Sequence, residues 1–167
     1  IFMQCGKIRF TSDAKSQMEN QGFKRLLIPR FTSFRSITSD RKTYVQITQE
    51  LSEDKVRNEF VMEDVKAAIQ KGRTPLLLTT RTAHVKVLAQ MLMPFADHVI
   101  QLIGADSAKE KRLALQNLQS IPTSESLVIV ATGKYVGEGF DYPRLDTLFL
   151  TMPIAWKGNV EQYAGRL

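Results

Sequence analysis

From residue 52 onward, short apolar runs alternate with longer stretches in which apolar positions recur at helical spacing. The segment 52–72, SEDKVRNEFVMEDVKAAIQKG, carries Val56, Phe60, Val61, Val65, Ala68 and Ile69 as a helical stripe. Its acidic start and its Lys71-Gly72 close suit the polarity of one helix. TPLLLTT then predicts a buried strand, TAHVKVLAQMLM a helix with Val85, Leu88, Ala89 and Leu92 inward, and HVIQLIG a strand ending at Gly104. Ser107 and Glu110 have the spacing of a capping box and open a helix carrying Leu113, Leu115 and Leu118. SLVIVAT and TLFLTMP are two further strands, and NVEQYAGRL begins a last helix with Asn159 and Gln162 in capping-box spacing.

The first fifty residues read differently. KRLLIPRF predicts a short strand, which Pro29 restricts to a sheet edge or a strand end because it offers no N–H. Residues 32–43 are rich in Ser and Thr and read as a loop or linker. We therefore expect an inter-domain linker and edge strand over 1–50 and a domain over 51–167. Its succession of strands and helices is that of an α/β fold, a doubly wound parallel sheet with helices on both faces. Ligands of such sheets sit beyond the carboxyl ends of the strands, where Thr79, Thr80, Arg81, Gly104, Thr132 and Gly133 fall.

Within 131–150, ATGKYVGEGFDYPRLDTLFL, the glycines at 133, 137 and 139 crowd into one loop. A dinucleotide fingerprint would need glycine at 142, where Tyr142 stands. A Walker A loop would need glycine at 128 and a hydroxyl after Lys134, where Val128 and Tyr135 stand. The loop is therefore no phosphate cradle able to hold a nucleotide alone. A purely structural role, glycines turning a long loop back toward the next strand, is the alternative.

Composition narrows the function classes. Hydrophobic residues make up 43% and charged ones 24%, as in ordinary globular domains. No apolar run approaches the ~18 residues of a membrane span, and IFMQCGKIRF has no secretory pattern. The lone Cys5 precludes an internal disulfide and fits a reducing, cytoplasmic compartment. His84 and His98 cannot supply a metal cage, and His84 reads as a helix-surface residue. A net charge of +6 is compatible with a polyanionic partner without establishing one.

The stretch VIVATGKYVGEGFDYPRLDTLFLTMPIAWKGNVEQYAGRL resembles motifs V and VI of superfamily 2 helicases and translocases, in particular the bacterial DEAD/DEAH-box-like helicases of the DNA-repair type. Ala131, Thr132, Gly133, Gly137, Glu138, Gly139 and Asp141 match motif V. Gln162, Gly165 and Arg166 match motif VI, and LLLTTR resembles motif IV. The likeness covers roughly residues 50–167 and implies the second, C-terminal RecA-like motor domain, a P-loop NTPase-type fold without its own P-loop.

The resemblance implies an arginine finger at Arg166, with Gln162 one turn earlier on the same face. An arginine delivered from a neighbouring domain is worth roughly 10³–10⁵ in phosphoryl-transfer rate. Gly137, Glu138, Gly139 and Asp141 would face the nucleotide, Asp141 accepting from ribose hydroxyls or holding the finger. Thr80, Arg81, Gly104, Thr132, Gly133 and Lys134 would line a nucleic-acid backbone, DNA in preference to RNA, through contacts that carry no sequence information. ATP and Mg²⁺ would be gripped mainly by an N-terminal RecA-like domain of the same chain. The Walker elements of that domain are absent here and the final arginine of motif VI is missing, so one lobe of a larger protein, inactive by itself, is expected. The runner-up is a non-catalytic nucleic-acid-binding or scaffolding domain that kept the motor fold. A small-molecule α/β enzyme is disfavoured because no nucleophile–base pair is visible.

Overall fold

A computed structural model describes residues 26–36, 43–104, 107–137 and 140–153. The chain divides into two compact units, 1–31 and 32–167. Of the first, residues 26–31 are described; they are exposed and without regular secondary structure, so the edge strand expected from KRLLIPRF does not form there. All the described helices and strands belong to the second unit.

Two helices open it, α1 (Tyr44–Glu53) and α2 (Lys55–Gln70). Thr43 caps α1 in a capping box with Gln46. The helix expected over 52–72 therefore starts at Lys55, because the Asp54 side chain accepts from the Arg57 N–H and caps a new helix there. Val56, expected inward, is 66% exposed, while Asn58, Met62, Val65 and Ala68 form the inner face of α2. Gly72, at φ +71°, turns the chain out of α2 in a conformation that glycine adopts without strain.

Four strands follow, β1 (Pro75–Thr79), β2 (His98–Leu102), β3 (Leu127–Thr132) and β4 (Thr147–Leu150), interleaved with α3 (Thr82–Leu92), α4 (Ala108–Ser120) and the short α5 (Gly133–Gly137). All strand pairs are parallel and the spatial order is β2-β3-β1-β4. The chain moves outward from β1 to β2 and back inward to β3. With right-handed crossovers this reversal puts α3 and α4 on opposite faces.

The core confirms it. Leu76, Leu78, Ile129 and Ala131 pack with Leu118 of α4 and Tyr135 and Val136 of α5. Leu77, Val128 and Val130 pack on the other side with Met62 and Val65 of α2 and Val85, Leu88 and Leu92 of α3. Alternate strand residues thus feed two separate apolar layers, so β1 and β3 read as unbroken apolar runs. On α4 only Leu118 of the three expected leucines is buried; Leu113 is 49% exposed. Among the described residues no helix is long and apolar enough to cross a membrane.

Candidate functional site

Because the strands are parallel, all their carboxyl ends lie along one rim. In spatial order it presents Gly104 after β2, Thr132 at the end of β3 with Gly133 and Lys134 following it, Thr80 and Arg81 after β1, and Thr151 after β4. The sheet therefore brings the six residues expected along a nucleic-acid backbone into one row. Thr80 and Lys134 are exposed, Arg81, Gly104 and Gly133 half-buried, and Thr132 buried.

Several of these groups are already engaged within the domain. The Gly104 N–H donates to Thr132 Oγ1 at 2.8 Å. The aliphatic stem of Lys134 lies over Gly104, so closely that a Cβ there would come within 2.9 Å of Lys134 Cβ. Arg81 sends Nη2 to the carbonyl of Val45 at 2.9 Å, across to α1. Arg81 is also the N-cap of α3 and makes no side-chain cap bond, and Thr82 is the first helical residue.

Behind the rim lies a polar group that the sequence reading placed wrongly. His84 is not on the helix surface: it is 1% exposed, with Nδ1 2.9 Å from Thr79 Oγ1 and Nε2 3.0 Å from Asn58 Oδ1. Asn58 Nδ2 in turn donates to the carbonyl of Ser52 at 2.9 Å. Burial, and then the nearby Arg57 charge, hold the His84 pKa down at about 4, so the ring is neutral at neutral pH. The signal was present in the sequence, since positions 84, 85, 88, 89 and 92 are all on the buried face of α3. Arg57 donates through Nη2 to the Thr151 carbonyl, and Thr151 Oγ1 donates to the Leu78 carbonyl at 2.7 Å, tying α2 to the ends of β1 and β4. Burial lowers the Arg57 pKa, with the Asp54 carboxylate opposing.

On the β3 side, Gly137 closes α5 and Asp141 is exposed, next to buried Phe140. Tyr135 meets Phe140 edge to face with ring centroids 5.8 Å apart, which anchors the loop to the α4 layer. Glu138, Gly139, Gln162 and Arg166 lie outside the described residues. Among those described, no group of three or more His, Cys, Asp or Glu side chains could hold a metal ion. At the β2 end of the rim, the Gly104 amide is taken by Thr132.

No family model matches the chain. It is 26% identical over 135 residues to the transcript termination protein A18 of Yaba-like disease virus, covering 78% of this chain and 27% of that protein. The chain thus spans about a quarter of the length of the viral relatives it matches. Among solved structures it resembles T4 UvsW, with a TM-score of 0.61 at 16% identity, over 75% of this chain and 25% of that one. It also resembles the C-terminal part of the Fun30 ATPase domain, with a TM-score of 0.58 at 14% identity, over 66% of this chain and 35% of that one. The fold is the RecA-like α/β fold of helicase-type domains, a parallel sheet flanked by helices.

Proposed function

We propose that the chain is the C-terminal motor lobe of an ATP-dependent nucleic-acid helicase or translocase. One observation carries the reading: the parallel sheet lines up Gly104, Thr132, Gly133, Lys134, Thr80 and Arg81 on a single rim, as a lobe that tracks a phosphate backbone requires. With the Gly104 amide and the Arg81 Nη2 engaged internally, the exposed polar groups of the row are Thr80 and Lys134. A hydroxyl and an ammonium contact phosphates without reading bases, which suits a protein moving along DNA. ATP is the substrate of the two-lobed parent. Its triphosphate and Mg²⁺ are gripped mainly by the N-terminal RecA-like domain, while Gly137, Glu138, Gly139 and Asp141 approach from this lobe. Arg166 acts as the arginine finger and Gln162 assists it.

The test compares the isolated chain with its full-length parent. The chain alone is expected to hydrolyse essentially no ATP; turnover at the parent's rate would overturn the half-site reading. Arg166→Ala in the parent is expected to abolish hydrolysis and spare ATP binding. Equal loss of both would assign Arg166 a folding role.

A further inference from the structure

The segment between β1 and α3 is held from behind by an unbroken line of buried polar side chains. Thr79, His84 and Asn58 are 2%, 1% and 3% exposed, and each comes from a different element: β1, α3 and α2. The direction of every bond in the line is determined. Asn58 Nδ2 donates to the Ser52 carbonyl, which turns Oδ1 toward His84. An amide oxygen carries no proton, so His84 Nε2 is the donor and, in the neutral ring, Nδ1 is the acceptor. Nδ1 then receives the Thr79 hydroxyl proton at 2.9 Å, and Thr79 Oγ1 is free to accept the Arg81 N–H at 3.4 Å. All donation runs one way, from the rim inward to the end of α1.

We infer that Thr79, His84 and Asn58 are positioning residues for the Thr80–Arg81 turn, which this one-way relay fixes from inside the domain. The inference deepens the proposed function, from which it takes the nucleic-acid backbone as the partner of the turn; the relay itself rests on geometry. Its logic is that of a preorganised contact. Arg81 is held at two points, by its N–H on Thr79 and by its guanidinium on the Val45 carbonyl, which leaves Thr80 between two fixed neighbours and exposed. Bonds in such a chain polarise one another in the low-dielectric interior, so the line acts as a unit. Apolar side chains fill the same layer immediately around it, Val85, Leu88 and Val65 among them, and would pack there without needing partners. A polar line that reaches the rim does what those residues do not: it orients a backbone N–H. A protonated ring would put a hydrogen on Nδ1 and reverse the Thr79 hydroxyl, and burial with the Arg57 charge opposes that form.

Two measurements decide it. In the 167-residue chain labelled with ¹⁵N-histidine, NMR at pH 7 should show His84 protonated at Nε2 and unprotonated at Nδ1; the other tautomer, or a cation, overturns the relay. Thr79→Val removes the hydroxyl at nearly constant shape, and Thr79→Ser restores it. Below the melting temperature of all three proteins, Thr79→Val should weaken binding of a single-stranded DNA oligonucleotide about fivefold, the worth of one hydrogen bond, and Thr79→Ser should recover it. Unchanged affinity in folded Thr79→Val would leave the line a purely structural role and sink the positioning inference. Should the wild-type chain bind no oligonucleotide, the functional reading fails separately. Amide exchange at Arg81 then decides the relay: faster in Thr79→Val than in Thr79→Ser supports it, equal rates refute it.

Discussion

Gly104 and Thr132 join the tips of two neighbouring strands by a backbone-to-side-chain bond, Gly104 N–H to Thr132 Oγ1 at 2.8 Å. The β2–β3 ladder ends at the Leu102–Ala131 pair, so this bond continues the pairing where the backbones begin to diverge. The Lys134 stem covers the glycine closely, and the nearest contact is its Cβ, which cannot swing aside as a side-chain tip can. Gly104→Ala should therefore destabilise the domain by about 1–3 kcal/mol through overpacking. Urea denaturation checks this; a change within error would mean that α5 moves away without cost.

Acid sensitivity should trace to His84. Its folded pKa of about 4 lies below the ordinary 6.5, so between those values the unfolded chain binds the proton and the folded one does not. Stability is therefore fully present above pH 6.5 and falls as the pH drops toward 4, by on the order of 3 kcal/mol in total. The carboxylates of Asp97 and Glu110, lowered by hydrogen bonds from Ser126 and Ser107, lose their contributions as the pH falls through the carboxylate range, at the acid end of that window and below it. Denaturation midpoints of wild type and His84→Gln between pH 4 and 7 test the assignment. The variant should show a flatter profile.

Two leucines of α4 should separate cleanly. Leu118 is fully buried in the layer with Leu102 and Leu127, and Leu118→Ala should cost about 2–5 kcal/mol. Leu113 is largely exposed, and Leu113→Ala should stay within about 0.5 kcal/mol. Comparable losses in chemical denaturation would contradict the orientation of the helix.

Lys134 should register in the salt dependence of nucleic-acid binding. If it meets one phosphate, Lys134→Ala lowers the slope of log affinity against log salt by about 1 and weakens all sequences alike. A titration with single-stranded DNA at several salt concentrations reads both quantities. An unchanged slope would remove this residue from the contact row.

The sheet was legible in the sequence because its inner strands are buried on both faces. PLLLT and LVIVAT admit no polar residue before their final threonine, and no amphipathic helix would be so uniformly apolar. The rim followed from the strand ends. Helix α1 was hidden because its buried face is largely polar, Thr48 and Ser52 beside Leu51, although Thr43 and Gln46 do form a capping box. Burial of Asn58 and His84 was missed for a related reason: a polar residue on an apolar stripe reads as surface until its partner is known, and here each is the other's partner. Leu113 misled in the opposite sense. The half-buried face of α4 runs through Lys111, Ala114 and Leu118, three and four residues apart, and Leu113 is off it.

The sheet is unevenly protected. β1 and β3 are buried along their whole lengths, while β2 and β4, on either side of them, are only partly covered. Amide hydrogens of the inner pair should be the last to exchange with solvent, at a free energy close to that of global opening. Thr80, Arg81, Gly133 and Lys134 all emerge directly from that slow-exchanging pair. If the proposed contact row is right, a bound polymer would pull on the part of the domain that yields last.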